Sequence, residues 1–237
     1  MSAHLGFASR LDDLPACLPV FPLPGVLLLP RGRLPLNIFE PRYLAMTDDA
    51  LGAPGRLIGM IQPADANADL GPRGPPARLY PIGCAGRIAS FSETEDGRYL
   101  ISLAGVCRFT IAAELAGAKG YRRVRPDFAP WQADLGPADL GAPDAPAGID
   151  RARLLGALKT YFTVEKIEAD WAAIADTPDE RLVTTLAMVC PFQPPEKQAL
   201  LEARTMAERA RTILALLEMA AQASGAGPSG EGGARRH

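Results

Sequence analysis

Apolar residues along this chain change their spacing near residue 150. Before that point they alternate or form short runs broken by Pro and Gly, which is the spacing of strands. After it they recur every three or four residues, which is the spacing of helices. Residues 1–17 carry neither pattern and read as a flexible lead. Leu18-Pro-Val-Phe-Pro-Leu23 is apolar but holds two prolines, which lack the N–H that a central strand donates, so it is expected at a sheet edge. Pro24-Gly25 marks a turn, and Val26–Leu29 and Leu34–Phe39 are the next strand candidates. Glu40–Met46 reads as a short helix with Pro41 in its first turn, where the missing N–H has no bond to make. Leu57–Ile61 is a short buried strand. The sharpest local signal is a hairpin formed by Gly83–Phe91, an Asp96-Gly97 turn and Arg98–Val106. In its second arm Tyr99, Ile101 and Leu103 share one face, and Arg98, Leu100, Ser102 and Ala104 share the other. Gly105 allows a bulge or a close backbone approach. Arg108–Ile111 and Tyr121–Arg125 extend the strand-rich region.

Residues 63–78 are polar, rich in Pro and Gly, and read as a loop. Residues 127–150 hold five aspartates and no Lys or Arg, too little apolar surface to offset the entropy of ordering, so they are expected to form a flexible acidic linker. Arg151–Glu168 reads as a helix through Leu154, Leu155, Leu158, Tyr161 and Phe162. Thr177-Pro178-Asp179-Glu180 has the form of a capping box, with Thr177 as N-cap. The helix it opens carries Leu182, Leu186 and Val189 and stops at Pro191–Pro195. One long helix is expected from about Pro195 to Gln222, with Leu200, Ala203, Ala207, Ala210, Leu214 and Leu217 as its stripe. Residues 223–237 read as a disordered Gly/Ser tail. The fold class is therefore α+β: a β-rich part over 18–126, the linker, and a helical bundle over 151–222.

Composition narrows the function. An apolar fraction of 48% and a charged fraction of 22% are those of an ordinary globular protein, and a net charge of −2 shows no basic excess for nucleic acid. No apolar run approaches the roughly 20 residues of a membrane helix, and the first residues lack the apolar core of a signal peptide, so a cytoplasmic protein is expected. Cys17, Cys84, Cys107 and Cys190 are widely spaced and read as free thiols of a reducing compartment. The histidines, His4 and His237, both lie in terminal segments, which removes histidine-based triads and His-rich metal sites. There is no phosphate-binding G-x-x-x-x-G-K-[ST]. Gly225–Gly230 fits G-x-G-x-x-G, but it follows a helix rather than a strand. The carboxylate pairs Asp48/Asp49 and Glu93/Glu95 sit in polar stretches and read as solvated surface. Arg122, Arg123 and Arg125 along one strand cannot all share a face, and they read as surface cations with carboxylate partners. No catalytic residue, cofactor or metal is expected.

Three segments, Phe21-Pro-Leu-Pro-Gly-Val26, Leu34-Pro-Leu-Asn-Ile-Phe-Glu-Pro-Arg-Tyr43 and Gly105-Val-Cys-Arg-Phe109, resemble in this order the Lon protease N-terminal (substrate-binding) domain family. Pro178-Asp-Glu-Arg-Leu182 and Pro194-Pro-Glu-Lys-Gln198 with Leu201-Glu202 resemble its helical half. The likeness spans about residues 18–220 and stops where the ATPase and peptidase modules would follow, so a stand-alone bacterial member is expected. Gly227-Pro-Ser229-Gly230 is faintly similar to the nucleophile segment of that family's peptidase, but no lysine follows Ser229 to act as its base. The resemblance implies a PUA-like pseudo-barrel followed by a helical bundle. It also implies non-catalytic recognition of unfolded or exposed-hydrophobic polypeptides, as an adaptor. Candidate groove residues are Phe39, Tyr43, Leu44 and Met46, with Glu40 and Arg42 at the rim. The structural alternative puts Phe39 and Tyr43 in the core and pairs Glu40 with Arg42 to fix the strand-to-helix corner. An RNA-binding PUA-like module is the other functional reading, supported only by the three arginines. The exposed end of the C-terminal helix is expected to pack on a second copy.

Overall fold

The computed structural model describes residues 10–65, 77–136 and 149–225. The described residues form six strands and six helices, strand-rich before residue 150 and helical after it as the spacing of apolar residues predicts, with the helix over 171–176 unforeseen. The strands are β1 (Leu18–Pro22), β2 (Arg33–Ile38), β3 (Leu57–Ile61), β4 (Ile82–Glu93), β5 (Tyr99–Ala118) and β6 (Tyr121–Asp127). Helix α1 (Pro41–Gly52) lies between β2 and β3, and α2 (Arg151–Val164), α3 (Trp171–Asp176), α4 (Asp179–Val189), α5 (Pro194–Glu202) and α6 (Met206–Gly225) follow β6. Pro41 takes the first position of α1, as expected, and the helix runs six residues beyond Met46.

The sheet runs β2-β5-β4-β3-β1-β6, and β5 also pairs with β6. That second pairing closes five strands into a barrel and leaves β2 appended to the first half of β5. Strand β5 is long enough to serve both ends: Tyr99–Ala104 pairs with β2, and Thr110–Ala118 pairs with β6. The hairpin turn between β4 and β5 is closed by the Thr94 N–H donating to the Arg98 carbonyl at 2.9 Å, with Gly97 at φ +77°, a left-handed conformation that favours glycine.

Alternation along the strands divides their side chains between two cores. Leu18 and Val20 of β1, Leu57 and Ile61 of β3, and Phe109 and Val124 fill the barrel. Phe21, Ile58 and Met60 point to the other side and join a larger cluster with α1 and the helices. Strand β3 is buried on both faces for this reason. Leu154 and Leu158 of α2, Leu182 and Leu186 of α4, Leu200 of α5 and Ile213 of α6 belong to the same cluster as Tyr43 and Met46, so the outer face of the barrel and the bundle share one apolar core, distinct from the barrel interior. Helix α6 is the centre of the bundle, against α2, α4 and α5.

Several expectations are corrected here. Strand β1 is interior, pairing with β6 through Leu18–Val20 and with β3 through Val20–Pro22. The two ladders are staggered, so each proline faces only one neighbouring strand, which a missing N–H tolerates. The strand with one free side is β2, which carries Pro35. Leu27, Leu28 and Leu29 are buried but form no strand. The acidic linker starts later than residue 127: Asp127 closes β6, and Ala129–Leu135 forms a 3-10 segment with Trp131 buried. Leu11 and Leu14 of the lead pack against the barrel core together with Leu135. Thr177 does not cap α4, whose N-cap is Pro178; its hydroxyl donates to the Ala173 carbonyl instead. The helix expected over 195–222 is two helices, α5 and α6, broken at residues 203–205. The helix expected to reach Glu168 stops at Val164. Residues 1–9, most of the 63–78 loop, 137–148 of the linker and 226–237 of the tail lie outside the described residues.

Two buried contacts tie barrel to bundle. The Gln62 amide donates to the Pro194 carbonyl at 3.1 Å and to the Gln198 side chain at 3.3 Å, and Gln198 in turn donates to the Ile82 carbonyl. Arg108 on β5 is held by both oxygens of Asp134 at 2.8–2.9 Å and donates to the Leu201 and Ala203 carbonyls at 3.1 and 2.6 Å. Its guanidinium lies 4.1 Å from the Trp131 ring centroid.

The four cysteines are free thiols: Cys17 is exposed, and Cys84, Cys107 and Cys190 are buried. Burial pushes the Cys107 thiol up to about 12 and the Cys190 thiol up to about 11, so both are protonated and unreactive at neutral pH. A disulfide-exchange reagent is therefore expected to titrate Cys17 alone in the native protein. All four should react in denaturant. A second fast native thiol would contradict the packing of the barrel or the bundle.

Candidate functional site

The six residues expected to line a groove are split by the corner between β2 and α1. Met46 is fully buried and Tyr43 nearly so, both inside the shared core. The Tyr43 ring packs on Phe21 with centroids 4.2 Å apart, and burial, the leading effect, raises its hydroxyl pKa against the opposing pull of Arg42. Leu44 is half-buried against the same core. Glu40 accepts from two nitrogens of Arg42 at 3.0 and 2.7 Å, and the Arg42 guanidinium sits 4.5 Å from the Tyr43 ring centroid. These contacts fix the angle at which the chain enters α1, which matches the structural alternative for Glu40, Arg42 and Tyr43. Phe39 differs: it is 62% exposed, directly after the strand and before the helix. The helical spacing from Phe39 to Tyr43 misleads because Phe39 is not in the helix.

Phe39 has an apolar neighbour outside the six expected residues. Leu100 is 46% exposed and pairs with Asn37 across β2 and β5. Side chains alternate along a strand, so Phe39, two residues beyond Asn37, falls on the face of Leu100. Phe91 on β4 is 42% exposed and meets Tyr99 edge-on at 4.9 Å. Leu34 and Leu36 of β2 are only half-buried. Exposed apolar residues thus lie on both faces of this end of the sheet, Leu100 and Phe39 on one and Phe91 with Tyr99 on the other. The signal available in the sequence was Leu100, an apolar residue on the otherwise polar face of its arm.

Strand β2 has β5 on one side and, among the described residues, no strand on the other. Its free N–H and C=O groups can pair with an added extended segment, and the apolar residues beside it can hold that segment's side chains. This arrangement suits binding of an extended apolar polypeptide and offers no nucleophile or base. Among the described residues no three His, Cys, Asp or Glu side chains are placed to hold a metal ion, and no helix is long and apolar enough to cross a membrane. Two of the three arginines on β6 are internally engaged: Arg122 forms a two-nitrogen pair with Glu114, and Arg123 donates to the Ala116 carbonyl, while Arg125 is exposed. No observation there favours RNA.

Residues 17–219 match the family described as the ATP-dependent protease La (LON) substrate-binding domain. A Lon protease of Anaeromyxobacter dehalogenans is 29% identical over 115 residues, which are 48% of this chain and 13% of that protein. A Lon protease of Azospirillum brasilense is 24% identical over 216 residues, 89% of this chain and 25% of that protein. The chain therefore spans a quarter or less of these relatives. Among solved structures, the fold is similar to a Lon N-terminal domain protein from Xanthomonas campestris. That pair superposes with a TM-score of 0.53 at 21% identity, covering 84% of this chain and 97% of the other. The N-terminal domain of the Mycobacterium avium complex Lon protease gives a TM-score of 0.56 at 17% identity, covering 85% and 97%.

Proposed function

From the premise that this chain belongs to the LON substrate-binding domain family, we propose that it is a non-catalytic recognition domain. Its ligands are unfolded or partly unfolded polypeptides, and it presents them as an adaptor. The observation that carries this reading is the exposed Phe39 and Leu100 on one face of the sheet, at the edge where β2 leaves a free side. Contiguous apolar exposure next to an unpaired strand is a liability in water unless a partner covers it, and an extended apolar segment satisfies both at once. Glu40, Arg42 and Leu44 form the rim of this surface, and Tyr43 and Met46 support it from the core. The domain works in the cytoplasm, where a reducing medium keeps its thiols free. In the same reading the exposed end of α6, with Met219, packs on a second copy. A strict monomer by light scattering at high concentration would rule that contact out.

The test is fluorescence anisotropy of a labelled, permanently unfolded protein titrated with the domain. Saturable binding that persists at moderate salt is expected. Phe39→Asp and Leu100→Asp should each weaken it about tenfold, the equivalent of one apolar side chain left in water. Both residues are exposed, so the midpoint of urea unfolding should stay close to that of the parent protein. Absence of binding by the parent protein would overturn the reading. Affinity that fell a thousandfold between about 50 and 200 mM salt would point to a polyanion instead.

A further inference from the structure

A cavity of about 220 Å³ opens where the barrel, the 3-10 segment, α4 and α6 meet, and its wall is unusually rich in arginine. Arg31, Arg108, Arg204 and Arg209 line it, against the carboxylates of Asp134 and Glu180. Both carboxylates are already engaged: Asp134 grips Arg108 with two oxygens, and Glu180 accepts from Arg31 at 2.6 Å. Among the described residues neither Arg204 nor Arg209 has a carboxylate within ion-pair distance. Arg209 is only 8% exposed, and its donors meet backbone carbonyls, of Leu200 at 2.9 Å and of Ala203 at 3.2 Å. Carbonyl dipoles satisfy N–H groups but carry no net charge, and Asp134 and Glu180, each already paired with another arginine, offset the charge of Arg209 only from beyond ion-pair distance. Burial and the neighbouring Arg108 bring its pKa down to about 10. Arg204 is exposed at the mouth, with its guanidinium 5.7 Å from the Trp131 ring centroid.

We propose that this cavity binds a small oxyanion, of the phosphate or carboxylate class, between Arg209 on its inner wall and Arg204 at its mouth. Guanidinium forks match the oxygens of such anions two at a time, and the anion supplies the counter-charge that Arg209 lacks within ion-pair distance. The cavity is several times larger than one phosphate, so entry needs no rearrangement of the core. Because the wall is built from four separate elements, occupancy also stabilises the junction of barrel and bundle. None of the lining residues belongs to the surface around Phe39, so this proposal stands or falls independently of peptide binding.

Thermal unfolding of the full chain, titrated with inorganic phosphate or with acetate against sodium chloride of equal ionic strength, tests it. A saturable rise in Tm with an oxyanion, absent with chloride, is expected, together with a saturable change in tryptophan emission as Trp131 senses the occupied mouth. Phosphate at high concentration also stabilises proteins non-specifically, so the comparison with Arg204→Gln decides. That variant alters an exposed side chain, should fold normally, and should lose about tenfold or more in apparent affinity. Arg209→Lys, which keeps the charge and loses the fork, should weaken binding as well. A response to phosphate alone assigns the phosphate class, and a response to acetate as well assigns a carboxylate. Identical unfolding in all three salts, or an Arg204→Gln variant that responds like the parent protein, would overturn the proposal.

Discussion

Replacing Arg108 with alanine is expected to destabilise the protein by about 3–5 kcal/mol, the loss typical of breaking a buried ion pair from one side. The side chains of Arg108 and Asp134 are only 6% and 8% exposed. Removal of the guanidinium strands a buried carboxylate and takes one donor from each of the Leu201 and Ala203 carbonyls. Arg108→Lys should fall between, because a single ammonium cannot reproduce a two-nitrogen pair while also reaching both carbonyls. The double variant Arg108→Met with Asp134→Leu should regain part of the loss, since it leaves no uncompensated charge. Urea unfolding of the four proteins measures all of this. A loss below about 1 kcal/mol for Arg108→Ala would mean that the pair is not the link between β5 and the bundle described above.

Gly105→Ala is expected to cost about 3 kcal/mol or to prevent folding, through sterics alone. A Cβ at this position would lie 1.9 Å from the Leu29 carbonyl oxygen and 2.7 Å from its carbon. The two segments cannot separate cheaply, because the Arg31 N–H donates to the Gly105 carbonyl at 2.8 Å and the Gly105 N–H donates to the Gly32 carbonyl at 2.9 Å. Gly52→Ala is the control: nothing lies within 4 Å of its added Cβ, and helix propensity favours alanine there by about 0.5–1 kcal/mol. The comparison of midpoints in urea separates a steric clash from a general loss of glycine flexibility. Soluble, normally folded Gly105→Ala protein would show that the Leu29 segment moves more easily than its hydrogen bonds suggest.

Where local chemistry decides conformation, sequence pattern and structure agree. Leu57–Ile61 is strand β3 at the bounds expected, because a short apolar run between turn signals has few alternatives. The β4–β5 hairpin follows from Asp96-Gly97. The failures are of two physical kinds. Apolar residues report burial, not the bonding partner of their backbone, so Leu27–Leu29 looked like a strand while serving only as core. A proline bars one side of one position, not a whole strand, and the staggered ladders of β1 use only one side at each proline. Trp131 is a core signal within an otherwise polar stretch, and Asp134, one of the five aspartates of the expected linker, is the partner of Arg108. The break between α5 and α6 was also legible: Thr205 and Glu208 form the capping box sought at Thr177, with Glu208 N–H donating to the Thr205 hydroxyl and Thr205 N–H to the Glu208 carboxylate. Of the candidate site, Phe39 and the Glu40–Arg42 corner could be read from the sequence. Leu100 joins Phe39 only through the register of β2 and β5, which no local pattern specifies, and the register of β4 puts Phe91 on the opposite face.

The closing of the barrel by its first and last strands also sets when the chain can fold. Leu18 waits for Val124, about a hundred residues later, before its second ladder exists. At the usual rate of synthesis of about 5–20 residues per second, this is a delay of roughly 5–20 s on the ribosome. During that interval β1 can pair only with β3, and Leu18 and Val20 have no barrel to enter. Such long-range closure defers the gain in contacts until most of the loop entropy has been lost. Until β6 emerges, the nascent chain is itself the kind of exposed apolar polypeptide that the domain is proposed to recognise.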